Sequence, residues 1–121
     1  MSIDLSSPDG KGSFSITTVE HDDDLMVIHM EGNVEGYGFV RLTHAYEHIS
    51  DRSSGTFSGS AEAILDDGNV VSTPHMGTFS RDGAVMLAYG TDSVTNGDLN
   101  FIRFKVDLIG KTAEVSFWSL K

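Results

Sequence analysis

The sequence has no cysteine and 2 prolines in 121 residues. It also has no apolar run approaching the ~20 residues that a membrane-crossing helix needs. Without cysteine there are no disulfides, no thiolate metal ligands and no thiol nucleophiles, which fits a reducing compartment. With 13 glycines against 2 prolines, the turns must rely on positive φ rather than on proline rings. Basic residues are scarce as well: 8 Lys and Arg stand against 18 Asp and Glu, a formal charge of −10. A field of that sign repels phosphate backbones and anionic lipid, so neither nucleic acid nor membrane is expected as a partner. The first residues, MSIDLSSPDGKG, hold no basic region and no apolar core. No signal peptide is expected there, and a cytoplasmic location is the default.

What is present is alternation. One domain over 1–121 is expected, with residues 1–11 as a flexible lead-in rich in Ser, Pro, Asp and Gly. A first strand follows from Gly12 to His21 with Phe14, Ile16 and Thr18 on one face. Asp22-Asp23-Asp24 lacks the ligand spacing of a calcium loop and reads as a hairpin tip. Leu25 to Gly32 is a second strand. The third is the long stretch Gly36 to Ser50, GYGFVRLTHAYEHIS. Its period of two puts Val40, Leu42, His44, Tyr46 and His48 on one face. Arg41 and Glu47 lie on the other, so the histidine face is assigned to the interior. Asp67-Gly68 and Asp82-Gly83 are strong hairpin signals, and together they make a three-strand meander. Between them Pro74 implies an edge, a bulge or a break beside His75. Gly59, Ala61 and Ala63 alternate on a strand that is either crowded or leaves room beside it. Two further strands, about Leu99 to Ile109 and Thr112 to Leu120, flank Gly110-Lys111. Asn100, Ile102, Phe104, Val106 and Leu108 face inward on the first, and Ala113, Val115 and Phe117 on the second.

Eight hairpin-linked strands without a helix avoid exposed edges most simply by closing. The expected fold is an all-β, antiparallel up-and-down barrel of about eight strands, lipocalin-like in outline, with a β-sandwich as the alternative. A barrel of that size is either filled by side chains or holds one small ligand.

The succession GNVEGYG (Gly32–Gly38), GTFSGSAEA (Gly55–Ala63) and GTFSRDGAV (Gly77–Val85) resembles a family of small bacterial barrel proteins. Their fold is like that of allene oxide cyclase, whose barrel binds an unsaturated fatty epoxide and guides its cyclisation. The likeness spans Glu31 to Val85 and rests on glycine spacing and the two GTF strands. It implies the barrel, and cyclase or lipophile-binding activity as expectations. No position matches the cyclases' functional residues, so none is assigned from them.

His44 and Tyr46 are the candidates for catalysis, as a neutral imidazole and a hydroxyl that could orient a carbonyl or move a proton. Val40, Leu42, His44, Tyr46, His48, His75, Tyr89 and Phe104 are the candidates for lining a ligand cavity. Alternate residues of a strand lie roughly 6.6 Å apart, which puts His44 about 13 Å from His48. The two cannot chelate one metal, and a metal site would need His75 or His29 from another strand together with a carboxylate. No metal and no cofactor is expected. There is no nucleophile elbow, no phosphate loop and no complete dinucleotide fingerprint. Trp118, Met76, Tyr37 and Phe39 fall on faces read as outward, which suggests a homodimer interface. The functional expectation is binding of a hydrophobic small molecule inside the barrel. The alternatives are a cofactor-free cyclase or isomerase acting by conformational control, and an assembly domain with a filled core.

Overall fold

The computed structural model describes residues 5–49 and 53–121. Eight strands follow one another: β1 Gly10–Asp22, β2 Leu25–Val34, β3 Gly38–Ile49, β4 Ser54–Ile64, β5 Val70–Asp82, β6 Val85–Ser93, β7 Leu99–Asp107 and β8 Thr112–Ser119. Each pairs antiparallel with the next, and β8 returns to β1 through a ladder from Gly10↔Phe117 to Ser15↔Thr112. The sheet is therefore a closed barrel rather than a sandwich. Closure gives every strand a neighbour on both sides, although β1 is paired to β8 only from Gly10 to Ser15.

The alternation of β3 decides what fills the barrel. Val40, Leu42, His44, Tyr46 and His48 are all buried, while Arg41 and Glu47 are exposed. The interior set continues with Met26, Ile28 and Met30 on β2, Phe57 on β4, Phe79 on β5, Met86 on β6 and Phe104 on β7. Each large apolar side chain fully removed from water contributes about 1.5–3 kcal/mol.

Turn chemistry is local and consistent. Asp67 Oδ1 accepts from Asn69 N at 2.9 Å, Asn96 Oδ1 from Asp98 N at 3.0 Å, and Asp107 Oδ1 from Gly110 N at 2.9 Å. At Gly68 (φ 87°) and Gly97 (φ 98°) the chain takes the left-handed conformation that glycine adopts without strain. In the β7–β8 turn the positive φ falls on Lys111, not on Gly110.

Two expectations change, one lies partly outside the described residues, and one is resolved among its alternatives. The lead-in is shorter than residues 1–11, because Gly10 and Lys11 already pair with β8 and Asp9 N donates to Phe117 O at 2.8 Å. The sequence SDRSS at residues 50–54 reads as a polar loop, and positions 50–52 of it lie outside the described residues. Thr18 does not share a face with Phe14 and Ile16, because a register shift between Ile16 and Thr18 inserts one residue and reverses the alternation beyond it. Past that bulge β1 has no partner on its β8 side, and Glu20 and Asp22 give the free edge its charge. Of the three outcomes expected at Pro74 the edge is the one found: β5 runs through it, paired to β4, and on the other side the β5–β6 ladder stops one residue short, at His75↔Asp92. Where proline has no N–H to give, Thr73 Oγ1 accepts from Ser93 N at 3.1 Å instead.

Among the described residues no helix is long and apolar enough to cross a membrane.

Candidate functional site

The two ends of the lumen differ. At the end carrying the β1–β2, β5–β6 and β7–β8 turns, aromatic rings fill the bore. Tyr46 stacks on Phe57 with centroids 5.6 Å apart and meets Phe79 edge-on at 5.2 Å. His48 closes this end, with Nδ1 on the Asp24 carbonyl at 3.1 Å and Arg81 Nη1 3.2 Å from its Nε2. At the other end, beside the chain termini, the lumen holds a cavity of about 60 Å³. Leu42, Ala61, Ala63, Ile102 and Phe104 form its walls, with Val34, Tyr37 and Phe117 towards the rim.

Between the two ends runs a polar ribbon that follows one cross-strand row of the barrel. The row is His44, Gly59, His75, Asp92, Asn100 and Ser119, each opposite the next across one strand pair. Gly59 makes the first link. With no side chain between them, the imidazoles of β3 and β5 meet, His44 Nε2 lying 2.7 Å from His75 Nδ1. His44 Nδ1 lies 3.0 Å from Tyr46 Oη. On the far side His75 Nε2 is 3.8 Å from Asp92 Oδ2, too long for a direct hydrogen bond. Asn100 Nδ2 donates to Asp92 Oδ1 at 3.0 Å and to Tyr37 Oη at 3.3 Å, and Tyr37 Oη donates to Asp98 Oδ2 at 2.6 Å.

The proton positions follow from the acceptor at one end. A carboxylate 3.8 Å from His75 Nε2 favours the tautomer with the hydrogen on that nitrogen and Nδ1 as the acceptor. His44 Nε2 must then be the donor to it, which leaves His44 Nδ1 to accept from the Tyr46 hydroxyl. In that arrangement the donors from Tyr46 through His44 to His75 all point towards Asp92, while Asn100 and Tyr37 also pass hydrogens on towards Asp98.

Burial keeps the chain neutral where it is deepest. It holds His44 well below the ordinary histidine value, with His75 beside it adding to the effect, and lowers His75 to about 4. The approach of His75 to Asp92 is therefore not an ion pair. Burial also raises Tyr46, and raises Tyr37 to about 12, where the bond to Asp98 contributes next. Asp92 is raised by burial, partly offset by Asn100.

Val40, Leu42, His75 and Phe104 line the cavity. His44 and Tyr46 do not: both are fully buried beneath it, so neither reaches a molecule in the cavity as the structure stands. His48 belongs to the plugged end. Tyr89 is on the outer wall, where it stacks with Phe101 at 6.3 Å, because Met86, Ala88 and Gly90 take the inward positions of β6. His29 is outside too, bonded to Glu20 and Thr43. No cluster of His, Asp and Glu suited to a metal ion occurs among the described residues.

Tyr37 faces the lumen, contrary to the outward expectation, because it sits in the turn before β3 and not in the strand's alternation. Phe39 and Met76 are exposed on the outer wall, and Trp118, also on that wall, is only 8% exposed. Tyr37, Asp92, Asp98 and Asn100 are the site residues that strand-by-strand reading did not single out. The available signal was Asn100, a polar residue on the otherwise apolar inner face of β7. No family model, curated protein or solved structure matches the chain.

Proposed function

We propose that the barrel binds a small, largely apolar molecule in the cavity at the end beside its termini. What supports this is the cavity itself, apolar on the walls around Leu42, Ala61 and Phe104 and polar on the one side where His75, Asp92 and Asn100 converge. Apolar walls with a few placed polar groups are the usual composition of a small-molecule site. At about 60 Å³ the space is far smaller than the ~300 Å³ and upward of sites for drug-sized ligands. The occupant is a molecule of a few carbons, or one that inserts only its tip.

Binding is favoured over cyclisation or isomerisation by the hydrogen-bond bookkeeping. His75 Nδ1 is engaged with His44 Nε2, and in the tautomer that turns its Nε2–H to Asp92 the histidine that lines the cavity has no spare lone pair to act as a base.

The test is the melting temperature of the protein against a panel of small lipophilic compounds. Binding raises it in a concentration-dependent way, and Ala61→Leu, which fills the cavity, removes the rise. A wild-type protein that no compound stabilises would mean that the cavity takes no ligand.

A further inference from the structure

Resting on that reading, we propose that the molecule held in this cavity is an amine, bound as its ammonium with the charge at Asp92 and the carbon chain among Leu42, Ala61 and Phe104.

The Asp92 side chain is only 10% exposed and lines the cavity. Among the described residues no Lys or Arg pairs with it, and its histidine neighbour is neutral. A carboxylate taken out of water without a cation is costly, and a ligand that brings one recovers that cost. The groups around it are biased towards acceptors. Asn100 spends its two amide hydrogens on Asp92 and Tyr37, and Tyr37 spends its hydroxyl hydrogen on Asp98. That leaves lone pairs on the carboxylate and phenol oxygens of two residues that line the cavity, a complement to the three donors of an ammonium.

A second carboxylate strengthens the preference. Asp98 lies one residue beyond Tyr37 in the same chain of bonds, near enough to raise Asp92 by repulsion. A cation at Asp92 relieves that repulsion, an anion would add to it, and a neutral alcohol would leave it unchanged. At this end of the barrel the strand ends and turns carry Asp9, Glu35, Asp66 and Asp67, against Lys11 and Lys121. The field at the entrance therefore draws cations in and turns carboxylates away.

The experiment compares three molecules of one shape: butylamine, butanol and butyrate. Each is titrated into the full chain at neutral pH and followed by NMR shifts of the lining residues Ala61, Val94 and Ile102. A hydrogen-bonded charge is worth enough that butylamine should bind about tenfold tighter than butanol, or better, and butyrate weakest. In Asp92→Asn the amine should fall to the level of the alcohol while the alcohol is unchanged. Equal binding of amine and alcohol by the wild type overturns the amine assignment and leaves apolar binding standing. An amine preference that survives Asp92→Asn also overturns it, because the rim field alone would then be responsible. If none of the three shifts the lining residues, it is the cavity reading itself that fails.

Discussion

His44 and His75 share one hydrogen across Gly59, with His44 Nε2 2.7 Å from His75 Nδ1 and both rings buried. The pair couples the plugged end of the barrel to the cavity. Tyr46, beneath His44, extends it by a bond of 3.0 Å, and Asp92 faces its other end at 3.8 Å, so that one orientation of the donors suits every member. Such a chain is costly to interrupt, because each buried member that loses its partner keeps the full penalty of desolvation.

The orientation can be read directly. With the donors directed at Asp92, both histidines are Nε2–H tautomers, and both Nδ1 atoms accept. Long-range proton–nitrogen correlation spectra at neutral pH should show that pattern twice. A His75 carrying its hydrogen on Nδ1 would reverse the chain and contradict the role given to Asp92.

The same pair sets an acid limit on stability. An unfolded histidine titrates near 6.5, whereas burial holds His75 at about 4 and His44 well below its ordinary value. Between about pH 6.5 and 4 the unfolded chain takes up protons that the fold refuses. Stability should be full above that window and fall as pH drops through it, by up to about 1.4 kcal/mol per pH unit for each histidine. Asp92, whose value is raised, binds its proton earlier in the folded state and returns part of the loss as carboxylates titrate. Urea midpoints compared at about pH 7.5 and about pH 5 test this. Equal midpoints would show that the rings are not neutral and buried, and His75→Gln should remove its share of the slope.

The barrel was legible because charge marks one face of β3 and β7, and aspartate–glycine turns mark the hairpins. The facing of His44 and Tyr46 followed from Arg41 and Glu47 opposite them. The site was not legible, because it lies along a cross-strand row, and a row depends on register, which no single strand encodes. Asp92 meets His75 only because β5 and β6 pair at that offset. Tyr37 was misplaced because Gly38, at φ 85°, breaks the alternation between the turn and the strand. Thr18 was misplaced by a one-residue bulge that leaves no compositional trace.

Gly59 tests whether the row is a requirement of the fold. A Cβ there would run into the Thr43 carbonyl oxygen and lie 2.9 Å from His44 Cδ2. Gly59→Ala should therefore cost about 1–3 kcal/mol, as overpacking does, and should disturb the His44–His75 bond. Gly68→Ala is the control: it meets open space but must hold φ 87°, a cost of about 1–2 kcal/mol that leaves the interior untouched. Both variants lose stability, so the discriminating readout is the histidine spectrum, expected to change only in Gly59→Ala. An unaltered spectrum in both would show that the two imidazoles do not depend on the missing side chain.

Trp118, the one tryptophan in the chain, reports on the outer wall. It occupies an outward position of β8 yet is only 8% exposed, with Phe101 at 5.8 Å and the Arg103 guanidinium 5.3 Å above its ring. Its emission should be that of a buried indole and should resist acrylamide, even though it lies outside the lumen. Arg103→Ala removes the cover, so the emission should move red and quenching increase, with a loss of about 0.5–1 kcal/mol for the cation–π contact. Trp118→Phe should be mild, within about 1 kcal/mol, although removing a buried indole altogether costs about 3–5 kcal/mol. The reason is that its Nε1–H is buried with no partner among the described residues, so the phenyl ring loses area but also sheds a desolvated donor. A large loss in Trp118→Phe would mean that the indole nitrogen is satisfied and that the outer wall is held by a bond rather than by packing.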